Sequence, residues 1–167
     1  ARAGELYNWL LIEKANRSST LVAIGGGITT DLAGWTASSY MRGINLILIP
    51  TTLISMIDAS LGGKTAINFM GTKNLIGSFY PAEKVMIIPE FIQSLSNEML
   101  LSGKAELYKT ALLEKISLLE DLFEPDWNNP KNIKKILSKA AEFKLSICQK
   151  DLYDKKERRL LNLGHTF

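Results

Sequence analysis

Three short runs of apolar residues, each ended by glycine or proline, constrain this chain more than any other feature of its sequence. The runs cover residues 21–24, which stop at three glycines, residues 46–49, which stop at Pro50, and residues 85–88, which stop at Pro89. Short continuous apolar runs of this kind are typical of strands buried on both faces of a sheet. Residues 31–42, rich in Ala, Leu, Trp and Met, lie between the first two runs, and Asp31 is placed to cap or charge-stabilise a helix. Strand, helix and strand in this order predict a right-handed crossover and a parallel sheet.

The strand signals stop after Pro89, and the rest of the chain has helical periodicity. One long helix is predicted around residues 97–123, and Asn129 with Pro130 supplies an N-cap and a first helical residue for a second helix. Its expected buried face consists of Ile133, Ile136, Leu137, Ala140, Phe143 and Ile147. The sequence therefore predicts an α/β part over residues 1–89, with about three strands and an incomplete sheet, followed by an all-α part over residues 90–167.

Composition excludes several classes of protein. With 46% hydrophobic and 22% charged residues, the chain is ordinary for a globular protein, which argues against disorder, collagen-like repeats and a coiled coil. Its 20 basic and 17 acidic residues are nearly balanced, so no nucleic-acid partner is expected. The single cysteine, Cys148, excludes an intramolecular disulfide and fits a reducing compartment. No apolar run approaches the roughly 20 residues that span a bilayer, so no membrane partner is expected.

The glycine run follows a predicted strand and opens a predicted helix. At such a junction, backbone N–H groups and the helix dipole can hold a pyrophosphate. The dinucleotide fingerprint G-x-G-x-x-G would require glycine where this chain has Thr30. The alternative is a tight turn that needs positive φ, but three consecutive glycines exceed what one turn requires, so phosphate binding is favoured.

A second loop carries a lysine beside two glycines. Gly63, Lys64 and Thr65 match the end of a P-loop, but Asp58 takes the place of its first glycine and no convincing strand precedes it, so NTP hydrolysis is disfavoured. Lys64 can still reach an anionic oxygen, and the pair 73–74, Lys and Asn, repeats that chemistry. The alternative is that both lysines are solvated loop residues.

Other polar residues are ambiguous when taken singly. Thr51 and Thr52 follow a strand end, where ligands bind in open α/β sheets, although threonines also cap helices. Glu106 and Lys109 share a helix face and could form only a surface ion pair. The one histidine, His165, does not establish a metal site with Glu106 by spacing alone. On composition alone, the cations at positions 144 and 158 are solvated charges.

Taken together, these segments resemble the 3-dehydroquinate synthase family of sugar-phosphate cyclases, from about residue 20 to residue 167. Several independent motifs occur in one order, which makes the signal strong. The matching segments are residues 25–34, 40–43, 49–53, 58–65, 73–80, 103–109 and 161–167. The resemblance implies a Rossmann-like, NAD-binding first domain over residues 1–89 and a helical metal- and substrate-binding second domain over residues 90–167, both partial.

The resemblance also implies a lyase of the shikimate pathway, which leads to the aromatic amino acids. Such an enzyme uses NAD catalytically, with zinc or cobalt, to convert 3-deoxy-D-arabino-heptulosonate 7-phosphate into 3-dehydroquinate and phosphate. It oxidises the carbinol at C5, eliminates phosphate, reduces the ketone again and closes the ring by an intramolecular aldol step. A cytoplasmic location is implied, and a homodimer for the full-length protein.

Site residues carry over from the matching motifs. The NAD site would be formed by Gly25, Gly26, Gly27, Ile28, Thr29, Thr30, Asp31, Thr51, Thr52, Lys64 and Lys73. The substrate site would be lined by Asp58, Lys64, Lys73, Asn74, Lys109, Lys144, Arg158 and Asn162. The metal would be held by Glu106, His165 and a third ligand beyond this chain.

Three alternatives stay open. They are a related cyclase acting on another sugar phosphate, a glycerol-dehydrogenase-like metal alcohol dehydrogenase, and a nucleotide-binding fragment without turnover. The chain begins with neither an initiator methionine nor a signal peptide, and it ends inside a motif. It is therefore expected to be a fragment, inactive and weakly stable by itself.

Overall fold

The computed structural model describes residues 2–114, 122, 126–127 and 129–164. The helices are α1 (Arg2–Ile12), α2 (Gly27–Ser39), α3 (Asn97–Glu114) and α4 (Pro130–Lys150). The strands are β1 (Thr20–Gly25), β2 (Asn45–Pro50), β3 (Lys64–Phe69), β4 (Thr72–Phe79) and β5 (Lys84–Val85). Three 3₁₀ helices cover Tyr40–Arg42, Pro89–Ser94 and Glu157–Asn162, and a π-helix covers Ser55–Ala59.

The main sheet is parallel, as predicted, with the strand order β1-β2-β5. Leu21 lies opposite Leu46, and the register continues to Gly25 opposite Pro50. The third strand is shorter than the predicted run of residues 85–88, because only Lys84 and Val85 pair with β2 before the 3₁₀ helix at Pro89 begins. The carboxyl ends of β1 and β2 therefore lie side by side at one edge of this sheet.

The prediction of about three strands is wrong, because β3 and β4 form a separate antiparallel hairpin. The two strands are joined by Met70 and Gly71, whose φ angles are 49° and 81°. Positive φ at both central residues is the conformation of the turn that matches the twist of a two-residue hairpin. The glycines, lysines and asparagines of this stretch resemble loop composition, which is why the sequence did not indicate strands. Lys64, Lys73 and Asn74 are consequently strand residues, not loop residues.

Helix α2 begins four residues earlier than predicted. Its N-cap is Gly26, whose backbone is extended (φ −80°, ψ −174°), and Asp31 lies inside the helix, so the prediction that Asp31 caps it is wrong. The helix starts directly after β1 because the three glycines leave room for the chain to turn without a longer loop. It ends at Ser39, and residues 40–42 continue as a 3₁₀ helix.

Two hydrophobic cores hold these elements. The first joins the inner faces of β1 and β2 to α1 and α2, with Leu46, Leu48 and Ala37 almost fully buried. The second lies under the π-helix and joins it to α3 and α4, with Leu53 and Met56 at 0% exposure.

The all-helical second part is confirmed for the described residues beyond Pro89. Asn129 caps α4 as predicted, since its side chain accepts a hydrogen bond from the backbone N–H of Lys131 at 3.0 Å. The predicted face of α4 is also confirmed, with Phe143 half-buried and its other five members buried. Helix α3 is described as far as Glu114, and most of its predicted continuation to residue 123 lies outside the described residues. Within the described part of the chain, no helix is both long and apolar enough to cross a membrane.

Gly103 of α3 provides a test of how tightly the second core is packed. A Cβ atom there would lie 2.5 Å from Cβ of Leu53, so we expect Gly103→Ala to destabilise the chain by about 1–3 kcal/mol through overpacking. Gly4 of α1 has no neighbouring atom within 4 Å of the same position, and Gly4→Ala should be neutral or stabilising by up to about 1 kcal/mol. Urea unfolding of the two variants measures the difference. Equal midpoints for both would contradict the packing described here.

Candidate functional site

The predicted cofactor residues meet at the carboxyl edge of the parallel sheet. The backbone N–H of Thr51, just after β2, donates to the carbonyl oxygen of Gly25 at 2.9 Å. A Cβ atom on Gly26 would lie 3.0 Å from Cγ2 of Thr52. The glycine run and the two threonines are therefore neighbours, as ligand-binding segments at a strand edge need to be.

The three glycines are required by close approach and not by positive φ. None of them has a positive φ angle, which makes the tight-turn alternative wrong. A Cβ atom on Gly25 would lie 2.6 Å from Oγ1 of Thr29, and one on Gly27 would lie 3.3 Å from Cβ of Ala59. Among the described residues, no side chain caps the first turn of α2, and Ile28 in that turn is 81% exposed. The start of α2 is thus tightly packed on one side and exposed to solvent on the other.

The π-helix Ser55–Ala59 leads the chain from this edge towards the helical part. Ser55 is fully buried, and its hydroxyl lies 2.8 Å from Oγ1 of Thr52 and donates to the carbonyl oxygen of Thr52 at 2.8 Å. The N–H of Ser60 reaches back five residues to the carbonyl oxygen of Ser55. Single π-helical turns are frequently found at functional sites. Ser55 was not predicted from the sequence, where its only signal is a hydroxyl three residues after Thr52.

A cavity of about 250 Å³ lies between the π-helix, the hairpin, α4 and the last 3₁₀ helix. Six of the eight residues predicted for the substrate site line it, together with Asp31 of α2. The six are Asp58, Lys64, Asn74, Lys144, Arg158 and Asn162. The other two lie elsewhere: Lys73 is exposed on β4, and Lys109 is on α3, where its ammonium donates to the carbonyl oxygen of Leu161 at 2.8 Å.

An ion pair between Lys144 and Asp58 crosses this cavity and joins α4 to the π-helix. The side chain of Lys144 is 10% exposed and that of Asp58 is 25% exposed. A lysine so deeply buried needs a carboxylate or an equivalent anion beside it. Lys144 is therefore not the solvated charge that composition alone would suggest.

Asp31 is the second acidic group of the cavity. Burial raises the pKa of its carboxyl group to about 6, and the negative charge of Asp58 adds to the shift. Because its pKa is higher in the folded chain than the ordinary value of 3.8, Asp31 contributes least to stability above pH 6. The contribution of Asp31 to the free energy of unfolding is full below pH 3.8 and is lost as the pH rises through 6.

Arg158 is the most deeply buried of the cations that line the cavity, with 1% exposure. One Nη atom donates to the carbonyl oxygen of Leu152 at 2.7 Å, and among the described residues its Nε and other Nη have no hydrogen-bond partner. Gly62, at φ 81°, packs against the guanidinium: a Cβ atom there would lie 2.7 Å from Nη2. At the rim, Lys64 forms an ion pair with Asp154.

The two predicted metal ligands cannot be compared with each other, because His165 lies outside the described residues. Glu106 is on α3, mostly buried, and forms an ion pair with Lys109. No cluster of three or more His, Cys, Asp or Glu side chains suited to a metal ion occurs within the described ranges. Of the two predicted metal ligands, the described part of the chain thus contains Glu106.

Comparison with known proteins assigns every residue of the chain to a family model. Residues 1–102 match the model described as 3-dehydroquinate synthase N-terminal, and residues 103–167 match 3-dehydroquinate synthase C-terminal. The chain is 41% identical to the 3-dehydroquinate synthase of Latilactobacillus sakei subsp. sakei (strain 23K), over 99% of this chain and 47% of that protein. It is 42% identical to the Pyrococcus furiosus enzyme of the same name, over 96% of this chain and 48% of that protein. The chain spans about half the length of the curated relatives it matches.

Solved structures show the same fold. The 2-epi-5-epi-valiolone synthase ValA from Streptomyces hygroscopicus subsp. jinggangensis 5008, with NAD⁺ and Zn²⁺ bound, matches with a TM-score of 0.88 and 34% identity, over 99% of this chain and 48% of ValA. A 2-deoxy-scyllo-inosose synthase complexed with carbaglucose-6-phosphate, NAD⁺ and Co²⁺ matches with a TM-score of 0.88 and 30% identity, over 99% of this chain and 46% of that structure. An iron-containing alcohol dehydrogenase from Thermotoga maritima, at 14% identity and a TM-score of 0.58, shares the fold alone over 87% of this chain and 50% of that structure.

The proximity of two carboxylates in the cavity gives a direct test of its electrostatics. Asp58→Asn should lower the pKa of Asp31 from about 6, while burial keeps it above 3.8. A ¹³C NMR titration of the Asp31 carboxyl carbon measures both values. Glu142→Gln removes an exposed carboxylate from α4 and should leave the pKa of Asp31 unchanged. A pKa of Asp31 that does not respond to Asp58→Asn would contradict the arrangement.

Proposed function

Since the chain belongs to the 3-dehydroquinate synthase family, we propose that the protein it forms part of converts 3-deoxy-D-arabino-heptulosonate 7-phosphate into 3-dehydroquinate and inorganic phosphate. The observation that carries the proposal is the cavity in which Lys64, Lys144 and Arg158 converge beside Asp31 and Asp58. A substrate with both a carboxylate and a phosphate needs several cations at once. The curated relatives at about 40% identity, which all carry this enzyme name, support it further.

The geometry of the glycine run in this structure supports NAD binding there. The first turn of α2 has no side-chain cap and is open to solvent, and a Cβ atom on Gly26 would crowd Thr52. Backbone N–H groups at such a helix start suit a pyrophosphate. We propose that residues 25–31, with Thr51 and Thr52, hold NAD, as the NAD⁺-bound cyclase structures suggest by analogy.

The donor set for a metal is incomplete in the described residues, which supply Glu106. A catalytic zinc usually takes three protein ligands with nitrogen, sulfur or oxygen donors. We propose that Glu106 and His165 contribute two of them and that a part of the protein beyond this chain contributes the third. When bound, NAD would supply hydride acceptance and return, and the metal, zinc or cobalt, would supply a Lewis acid.

In the proposed mechanism, this chain's residues chiefly bind and orient the substrate. Lys64 and Arg158 attract its anionic groups, with Asn74 and Asn162 as hydrogen-bonding neighbours. Lys144 is held by Asp58 before the substrate enters, so its ammonium does not have to be ordered during the reaction. The Asp31 carboxyl, with a pKa of about 6, can hold or release a proton near neutral pH within the same cavity.

The remaining features of this proposal follow from family membership. The protein would be a phosphate-eliminating lyase of the shikimate pathway, would act in the cytoplasm and would form a homodimer when complete. Lys73 and Lys109 stand outside the described cavity. We propose that they reach the substrate or the cofactor only in the complete protein.

A related cyclase acting on another sugar phosphate is the second candidate. It is favoured by the TM-scores of 0.88 with a valiolone synthase and a deoxy-scyllo-inosose synthase. The sequence identities favour the first proposal, because they are 34% and 30% with these cyclases and about 40% with the 3-dehydroquinate synthases. A metal alcohol dehydrogenase resembles the chain in fold only, at 14% identity.

The proposal is tested by supplying the full-length protein with NAD, zinc and the heptulosonate phosphate. We expect stoichiometric phosphate release without net NADH, because the hydride is returned within each turnover. Arg158→Gln should reduce kcat/KM by at least about a hundredfold, since it leaves a substrate anion without a buried partner.

Two controls distinguish the alternatives. The 167-residue chain alone should show no turnover, because the third metal ligand is proposed to lie beyond this chain. Steady NADH accumulation with an alcohol substrate would refute the cyclase proposal in favour of a dehydrogenase. Phosphate release only from a different sugar phosphate would identify the related cyclase.

A further inference from the structure

Arg158 is buried in an unusual state for a guanidinium. Among the described residues, two of its nitrogen atoms have no hydrogen-bond partner, and only the carbonyl oxygen of Leu152 accepts a bond from it. A buried cation with unused donors carries a desolvation cost that an oxyanion in the cavity can offset. The orientation of this guanidinium therefore determines how well the cavity can take an anion, and it depends on the backbone that carries it.

That backbone is organised by one carboxylate, Asp151. Its two oxygens accept hydrogen bonds from the backbone N–H groups of Lys155 at 2.9 Å, Lys156 at 2.6 Å and Arg158 at 3.2 Å. Asp151 itself follows α4 directly, and its N–H donates to the carbonyl oxygen of Ile147 at 3.1 Å. The end of α4 is thereby coupled to the start of the last 3₁₀ helix through a side chain that is only 8% exposed.

The segment between them, residues 152–156, contains no regular helix or strand. Asp154 within it has a left-handed backbone with φ 55°, a conformation that a non-glycine residue adopts only when its surroundings hold it. Two side chains connect this segment to the hairpin. Asp154 forms an ion pair with Lys64, and the ring of Tyr153 packs edge-on against the ring of Phe79, with 5.3 Å between the ring centroids. Two contacts of this region reach Arg158 itself: its backbone N–H donates to Asp151, and its guanidinium donates to the carbonyl oxygen of Leu152.

We propose that Asp151 is a positioning residue for oxyanion binding: by holding the N–H groups of residues 155, 156 and 158, it fixes the backbone from which the Arg158 guanidinium faces the cavity. This positioning role deepens the proposed function. It rests on that function in one respect, because it takes the oxyanion bound in the reaction to be the phosphate or the carboxylate of the substrate. Asp151 does not touch the cavity and acts only through Arg158.

The charge state of Asp151 is consistent with this role. The hydrogen bond from the N–H of Lys155, followed by those from Lys156 and Arg158, lowers the pKa of its carboxyl below the ordinary value. It therefore remains an acceptor for all three N–H groups under neutral conditions. An amide at this position would keep one acceptor oxygen and turn an NH₂ group towards a backbone N–H group.

The test measures binding of inorganic phosphate to the 167-residue chain at pH 7.5, followed by the ¹⁵N and ¹H resonances of the Arg158 Nε–H group. Asp151→Asn should weaken phosphate binding about tenfold and should reduce the phosphate-induced shift of that resonance. The matched control is Glu157→Gln, which removes an exposed carboxylate from the start of the last 3₁₀ helix. It should leave both readouts unchanged.

A double-mutant comparison separates positioning from general support of the fold. In an Arg158→Gln background, Asp151→Asn should have no further effect on phosphate affinity, because the group through which it acts is gone. The same fold-loss in both backgrounds would overturn the proposal. An Asp151→Asn chain that loses its helical circular dichroism would also overturn it, as would a parent chain whose Arg158 resonance does not respond to phosphate.

Failure of the positioning role can be distinguished from failure of the proposed function. An Arg158 resonance that responds to phosphate through Asp151, in a protein that releases no phosphate from the heptulosonate, would refute the proposed reaction and leave the positioning role standing. Turnover by the full-length protein, together with a phosphate affinity that Asp151→Asn leaves unchanged, would refute the positioning role and leave the proposed reaction standing.

Discussion

The ion pair between Asp58 and Lys144 is the interaction on which the rest of this structure depends. It places a carboxylate from the end of the π-helix against a lysine of α4 whose side chain is 10% exposed. Neither charge can be buried alone without a large desolvation cost, so the α/β part and the helical part must meet where the two residues face each other. The cavity, its cations and the start of α2 are arranged around that meeting point.

Close backbone approach at the sheet edge is the second constraint. The glycine run lets α2 start immediately after β1, and the hydrogen bond from Thr51 to Gly25 brings the end of β2 to the same place. The buried hydroxyl of Ser55 then directs the chain into the π-helix that carries Asp58. Each step uses a residue without a bulky side chain, or one whose polar atom bonds to the local backbone.

Much of this could be predicted from the sequence, and the failures have physical causes. The parallel strands and the capped helix α4 follow from local apolar periodicity and from the Asn129-Pro130 pair, both of which are visible in a short window. The hairpin of β3 and β4 was missed because glycine, lysine and asparagine, at positions 71, 73 and 74, are residue types depleted in strands. The family resemblance implied six of the residues that line the cavity, but it also implied Lys73 and Lys109, which lie outside it. Two Arg158 nitrogens have no hydrogen-bond partner among the described residues, and this state and the proposed role of Asp151 depend on contacts between α4 and the segment after it, which no local pattern records.

The most direct test of this account is a double-mutant cycle on Asp58 and Lys144, using Asp58→Asn, Lys144→Met and the double variant in urea unfolding. We expect each single change to cost about 3 kcal/mol, since Asp58 is 25% exposed and the pair is not fully buried. The double variant should cost less than the sum, with a coupling free energy of about 1–3 kcal/mol. Additive costs would contradict the claim that this pair joins the two parts of the chain around one site.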